Sequence, residues 1–227
     1  NDRNPFIYVD FTCGTWGGRP FADGLDGNSN MGANMASTSV EITEAEHPIE
    51  ILCYEFVPDR AGAGKYRGGT PYRRDYRLLE EEAVLQVRSD RRDFRPYGLY
   101  GGYPGKPSMN FINPTGQNDD PVTAKLTMTM KRGDVLRHEL AGAAGWGDPL
   151  ERDPTAVLRD LRNEMISITT AENEYGVVID VDHWTVDTEK TEALRVEISQ
   201  LRGWAEVPTV LREDPPALAA KWRQTIR

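Results

Sequence analysis

The sequence is short of basic charge, cysteine and histidine, and it has no long apolar run. Lys and Arg total 27 against 36 Asp and Glu, for a net charge of −9. Gripping a nucleic-acid backbone requires a basic footprint, so general nucleic-acid binding is excluded. Cys13 and Cys53 supply neither a disulfide framework nor a zinc ligand set. The three histidines, His47, His138 and His183, have no second His or Cys at ligand spacing, which argues against a zinc site built within this chain. No stretch approaches the roughly 20 apolar residues of a membrane helix. With only these two cysteines, a reducing, cytoplasmic location is expected. The chain opens on Asn1 and runs through Pro5 into Phe6-Ile7-Tyr8-Val9, so its start reads as a cut into mid-protein.

What is present is ample for a core: 227 residues, 38% of them hydrophobic and spread throughout. Glycine divides the chain. Nineteen of 21 glycines precede Asp148, and only Gly176 and Gly203 follow it. Dense glycine between short apolar runs predicts tight turns joining strands, since glycine reaches positive φ without a Cβ clash. Strands are expected at 49–57, 83–88, 124–130 and 135–140. In the third, Leu126, Met128 and Met130 point inward by alternation. Lys131-Arg132-Gly133-Asp134 reads as the hairpin turn between the last two strands; the Arg-Gly-Asp tripeptide within it is coincidental. Beyond Asp148 the signals are helical. Asp153-Pro154 starts a helix over 154–166 with Val157, Leu158, Leu161 and Met165 on one face. Thr169 to Glu172 has capping-box spacing, with Gly176 as the stop and a brief strand at 177–179. A helix at 188–202 turns Leu194, Ile198 and Leu201 inward and ends at Gly203. The fold class is therefore α+β: a glycine-rich, mostly antiparallel β body at 1–149, a helical segment at 150–203 packed on it, and a Pro-containing extension at 204–227 bearing Pro208, Pro215 and Pro216.

The run from Pro58 to Gly69 invites a phosphate-loop reading, which its spacing refuses. The glycine needed six residues before Lys65 is Asp59, and the Ser or Thr needed after it is Tyr66. Arg67 likewise fills the third-glycine slot of a dinucleotide loop, so a structural turn presenting Arg60, Lys65 and Arg67 is expected. Residues 58–106 carry eleven Lys and Arg against seven Asp and Glu. This excess is either a self-paired surface or a patch facing an anion or a subunit. In the glycine loop 14–27, Asp23 and Asp26 either cap turns or bind a cation or polarise water. The low-specificity catalytic candidates are Asp23, Asp26, Lys65 and Arg67, drawn from the two glycine-dense blocks. On alternation, His138 shares a face with Leu136 and Leu140 and reads as a packed or interface histidine. No nucleophile elbow occurs, and Cys13 has no identifiable base nearby.

Taken in order, the landmarks resemble one family. They are Gly17-Gly18-Arg19-Pro20, Asp23-Gly24-Leu25-Asp26-Gly27, Pro58-Asp59, Gly62 through Gly69, Arg74-Asp75-Tyr76-Arg77, Gly98-Leu99, Gly101-Gly102, Gly145 through Pro154 and Tyr175-Gly176. From about Pro5 to Arg202 the chain resembles the C-terminal part of the hydantoinase B/oxoprolinase family. The resemblance implies part of a multi-subunit enzyme in which a hydantoinase A-type ATPase partner, holding ATP and Mg, phosphorylates a carbonyl oxygen. The B-type component then supports opening of a cyclic amide, or, in ketone carboxylases of the acetone and acetophenone type, carboxylation. A non-catalytic domain that only docks the ATPase is the remaining alternative. The family's metal residues belong to the N-terminal part of the B-type component, so no metal residue and no cofactor is assigned here. The partners implied are the ATPase, that N-terminal part and a small-molecule substrate, with no nucleic acid and no membrane. One departure stands out: alanine at 143 and 144 interrupts the glycine run before Trp146, which puts in doubt a part for that loop in handling substrate.

Overall fold

Seven residues with the charge content of a surface loop form an interior strand of the main sheet. Tyr72–Leu78 (β2), sequence YRRDYRL, runs antiparallel between Ile49–Phe56 (β1) and Val135–Glu139 (β7), and Met109–Ile112 (β5) completes the order β1-β2-β7-β5. Its charges are tolerated because the register places opposite charges across from them. Arg77 faces Glu50 and Arg73 faces Glu55 on β1, while Asp75 faces Arg137 on β7. Each pair closes into an ion pair, at 2.9, 3.2 and 2.9 Å. Composition alone hid this strand.

The computed structural model describes residues 5–30, 32–116 and 119–215. It is a mixed α and β fold whose sheets pair antiparallel. The strands expected at 83–88 and 124–130 appear as Glu82–Arg88 (β3) and Lys125–Lys131 (β6), with Leu126, Met128 and Met130 turned inward. The hairpin expectation is corrected. Asp134 N–H does donate to the Lys131 carbonyl, and Gly133 takes φ +90, so the turn exists. The strands it joins do not pair, however: β6 pairs with β3, and β7 with β2 and β5. The turn passes the chain from a two-stranded ribbon into the main sheet.

Val40–Glu46 (α1), capped by Ser39, leads into β1 and was not foreseen. After Pro149–Glu151, a single 3₁₀ turn, come Pro154–Arg162 (α2), Ile168–Asn173 (α3) and Thr188–Arg202 (α4). α2 ends before the expected 166, at Asn163. The cap of α3 is Ser167, whose hydroxyl accepts from Thr170 N–H, two residues earlier than the capping-box reading placed it. In α4 the expected inward Leu201 is 44% exposed, and Arg202 takes the buried side against Asp148 instead. The brief strand falls at Ile179–Asp180 (β8), paired with Thr185–Val186 (β9). In the extension, Val210–Leu211 (β10) pairs with Gly98–Leu99 (β4). Pro216 and the rest of the tail lie outside the described residues.

Turns are not the main reason for the glycines. Loops 14–27, 60–70, 98–105 and 141–147 stack backbone on backbone into a hub. Gly18 N–H donates to Ala144 O, Gly62 N–H to Ala143 O, Tyr103 N–H to Ala63 O and Gly69 N–H to Trp16 O, all at 2.7–2.8 Å. A Cβ on Gly142 would sit 1.6 Å from the Arg60 carbonyl oxygen, closer than any side chain allows. On one side the hub joins an apolar core of Tyr103, Val157, Ile166, Tyr175, Val177 and Ile198. A second core, of Leu78, Val87, Met130 and Leu136, lies under the ribbon.

Candidate functional site

Three of the four sequence candidates meet in the hub, where they hold one another. Asp23 accepts from Arg67 N–H (2.7 Å) and, through both oxygens, from the Arg152 guanidinium (2.6 and 2.8 Å). Asp26 accepts from Arg67 Nη1 (2.8 Å) and Thr70 N–H (2.6 Å). Asp160, from α2, accepts from Arg152 Nη2 at 2.7 Å and lies 3.5 Å from Arg67 Nε. Two buried arginines are thus clamped by three aspartates from two stretches of chain, loop 14–27 and α2. Burial works to raise the Asp23 carboxyl, but the hydrogen bonds and charge of Arg152 outweigh it and hold the group below the usual carboxylate range. Asp26 is held down in the same way, against its own burial, by Arg67. Arg152 and Asp160 carried no sequence signal of this role; only the folded chain brings them to Asp23.

Lys65 stands apart. Its ammonium pairs with Glu151 at 3.1 Å on the surface, and only its carbonyl reaches the clamp, accepting from Arg152 Nη1. Around it the amides are spent inside the hub: Lys65 N–H on Gly147 O, Tyr66 N–H on Trp146 O, and Gly68 N–H on Gly62 O. The basic excess of 58–106 is drawn off by acids outside that stretch: Arg60 by Glu139, Arg74 by Asp10, Arg95 by Asp214 and Lys106 by Glu174. These residues are paired, but by acids from other parts of the chain rather than by those of the stretch itself.

A large concavity lies elsewhere. A cleft of about 940 Å³ opens between segment 5–14, the β3–β6 ribbon and the face formed by β2 and β7. Leu78, Leu85, Val87, Met130, Leu136 and Leu140 make its apolar side. Asp10, Tyr76, Ser108 and His138 make a polar corner. Asp10 Oδ2 accepts from Arg74 Nη1 and from the Tyr76 hydroxyl, each at 2.6 Å. Burial pushes the Tyr76 phenol far above the ordinary tyrosine range, and the Asp10 charge adds to this. The Ser108 hydroxyl donates to the Asp90 carbonyl. As expected from alternation, His138 is buried beside Leu136 and Leu140, and it meets Asn110 Oδ1 through Nδ1 at 2.6 Å. Burial lowers its imidazole from 6.5 to about 4, so it is neutral at pH 7. Asp10 and Asn110 were not singled out in the sequence, and Tyr76 appeared there only within the landmark Arg74-Asp75-Tyr76-Arg77. Tyr76 sits in the charge-masked β2, and nothing local marks Asn110.

His47 lies against Tyr8, with ring centroids 5.0 Å apart, and His183 pairs with Asp180 on the surface. Among the described residues, no group of three or more His, Cys, Asp or Glu side chains could hold a metal ion. No helix among them is long and apolar enough to cross a membrane.

The family model for hydantoinase B/oxoprolinase matches residues 1–149. A putative D-/L-hydantoinase component of the B type, from Pseudomonas sp. (strain NS671), is 29% identical over 204 residues, which is 86% of this chain and 33% of that protein. The crystal structure of the ATP-dependent caprolactamase of Pseudomonas jessenii superposes on 82% of this chain, and 33% of its own, with a TM-score of 0.67 and 26% identity. The nucleotide-free structure of acetone carboxylase covers 95% of this chain and 32% of its own, with a TM-score of 0.68 and 21% identity, a likeness of fold. The chain therefore spans about a third of the length of these relatives, at 33%, 33% and 32%. By the match over residues 1–149, it belongs to the hydantoinase B/oxoprolinase family.

Proposed function

We propose that this chain is the C-terminal part, or a split subunit, of the B-type component of an ATP-dependent cyclic-amide hydrolase. It works beside a hydantoinase A-type ATPase that holds ATP and Mg and phosphorylates the substrate. An amide oxygen is a poor leaving group until it is phosphorylated, so ATP turnover and ring opening belong to one cycle. The observation that carries the reading is the likeness to an ATP-dependent caprolactamase across 82% of the chain, at an identity above that of the carboxylase. In this reading the hub is the rigid frame. Asp23, Asp26 and Arg67, tied by Arg152 and Asp160, fix the glycine loops against α2, and the remaining two thirds of the B-type component supplies any divalent metal.

The test is ATP hydrolysis by the complex reconstituted from this chain, the rest of the B-type component and the ATPase. Phosphate release that requires a lactam or hydantoin and ignores bicarbonate is the expected result. Release that requires a ketone together with bicarbonate would replace the reading with a ketone carboxylase. Release that proceeds equally without this chain would reduce it to a docking domain.

A further inference from the structure

One wall of the cleft is a strand edge with no strand bonded to it. Among the described residues β3 pairs with β6 alone, in an unbroken register. At the two ends of that ladder Ser89 N–H donates to Ala124 O and Arg132 N–H to Glu81 O, at 2.9 and 3.1 Å. Bonded and non-bonded pairs alternate along an antiparallel ladder, so Ala83, Leu85 and Val87 spend their main-chain groups on β6. Glu82, Val84, Gln86 and Arg88 turn theirs the other way. That free edge borders the cleft: every residue of 82–91 lines it, whereas β6 contributes only Met130.

The facing wall has the same property. Residues 6–11 alternate as a strand does, with Phe6, Tyr8 and Asp10 half-buried and Ile7, Val9 and Phe11 exposed. Yet no residue of 5–14 exchanges a backbone–backbone hydrogen bond with another described residue. The gap between these two edges is apolar on both sides of their plane. Leu85, Val87 and Leu136 lie on the sheet side. On the outer side Ile7, Val9 and Val84 are 85%, 63% and 68% exposed. Edges that face water are ordinarily guarded by a charge, a proline or a bulge, and the middle of β3 has none of these.

We propose that the cleft is a slot for one extended polypeptide strand, apolar on both faces, which hydrogen-bonds along the outer edge of β3 beside segment 6–12, and that the remainder of the B-type component supplies it. Strand addition of this kind takes its affinity from main-chain bonds and its selectivity from the alternate side chains. A strand apolar on both faces is an interior strand of a larger body. This chain spans about a third of its relatives, which leaves that body to the other two thirds. A second copy of this chain fits worse, because its β3 would arrive with β6 attached while segment 5–14 lines the far side of the slot. Only the identity of the partner rests on the function proposed above. Binding and amide exchange are the readouts, so a failure of lactam-dependent ATP turnover leaves the slot standing.

The experiment is residue-resolved hydrogen–deuterium exchange of the full 227-residue chain, alone and with the separately expressed remainder of the B-type component. Alone, the amides of Leu85 and Val87 should exchange slowly and those of Val84 and Gln86 rapidly. In the complex, Val84, Gln86 and amides within 6–12 should gain at least about tenfold protection. Val84→Pro removes an outward N–H and spares the ladder to β6, so the chain should keep its Tm while Kd for the remainder rises at least about tenfold. Val84→Lys keeps the N–H and sets a charge against an apolar strand. It should weaken binding as much, and it carries the test should the proline variant misfold. A complex in which Val84 and Gln86 stay unprotected would overturn the proposal, as would the absence of any complex or a Kd that Val84→Lys leaves unchanged. Protection of Val84 and Gln86 that grows with the concentration of this chain alone would give the slot to a second copy and overturn it equally.

Discussion

In the hub, loops 60–70 and 141–147 touch backbone to backbone, and Asp23, Asp26, Asp160, Arg67 and Arg152 each meet an opposite charge. In the cleft, segment 5–14, the ribbon and the main sheet leave about 940 Å³ between them, beside the core that Val87 and Met130 of the ribbon share with Leu78 and Leu136 of the sheet. The same chain closes one region with glycine and opens the other with side chains. Where no Cβ intervenes, main chains approach until their amides and carbonyls bond. Where alternating Leu, Val and Met project from a two-stranded ribbon, the spacing is set by side chains and a concavity remains. Close backbone contact is concentrated in the first region and open space in the second.

The contrast breaks most visibly at Gly142. Gly142→Val drives a Cβ into the Arg60 carbonyl, which is backbone and has nowhere to yield. The expected outcome is loss of cooperative unfolding or a drop of several kcal/mol in urea titration. The matching change in the cleft, Leu85→Ala, removes a half-buried side chain beside open space and should cost about 1 kcal/mol.

Next in size is the clamp. Arg152→Met leaves Asp23 and Asp160 facing each other without their shared cation, and should cost about 3–5 kcal/mol in chemical denaturation. Asp23→Asn is milder, since its amide oxygen still accepts from Arg67 N–H. If the clamp acts only by fixing loops, Asp23→Asn lowers Tm and leaves turnover per folded complex unchanged. A loss of about tenfold or more in a variant that folds would give Asp23 a part in the chemistry itself.

The two regions also answer pH with opposite signs. The buried His138 has its folded pKa, about 4, below its unfolded value of 6.5. The stability it contributes is full above pH 6.5 and is lost as pH falls toward 4, by about 3 kcal/mol in all. Glu174, on the hub side and buried near Lys106, is pushed up by burial from 4.5 to about 7. Its contribution is full below pH 4.5 and is lost as pH rises through 7. Melting curves of His138→Gln should therefore converge with those of the parent on the acid side, and those of Glu174→Gln should rise above the parent only on the alkaline side.

The smallest effect is expected at Lys65. Its pair with Glu151 is solvent-exposed on both sides, so Lys65→Met should shift stability by no more than about 0.5 kcal/mol. A larger loss would mean that Lys65 belongs to the clamp after all.

Local chemistry determined what it could reach. Alternation placed β3 and β6 and put His138 beside Leu136 and Leu140. Asp153-Pro154 placed the start of α2, and Gly203, in the left-handed region at φ +58, stopped α4. The ordered glycine blocks carried the family resemblance. The failed loop spacing at Lys65 directed attention to a structural turn, whose amides the fold then spends internally. Pairing across long sequence separations belonged to the tertiary structure alone. β2 is a strand because Glu50, Glu55 and Arg137 stand opposite its charges, and no window of seven residues contains those partners. The ribbon and the main sheet separate at Gly133 because β6 finds β3 and β7 finds β2. Asp23 and Arg152, 129 residues apart, become one site, and Asn110, 28 residues from His138, comes within 2.6 Å of its Nδ1. Periodicity and caps are properties of neighbouring residues, whereas register and charge pairing are fixed only when distant segments share a surface.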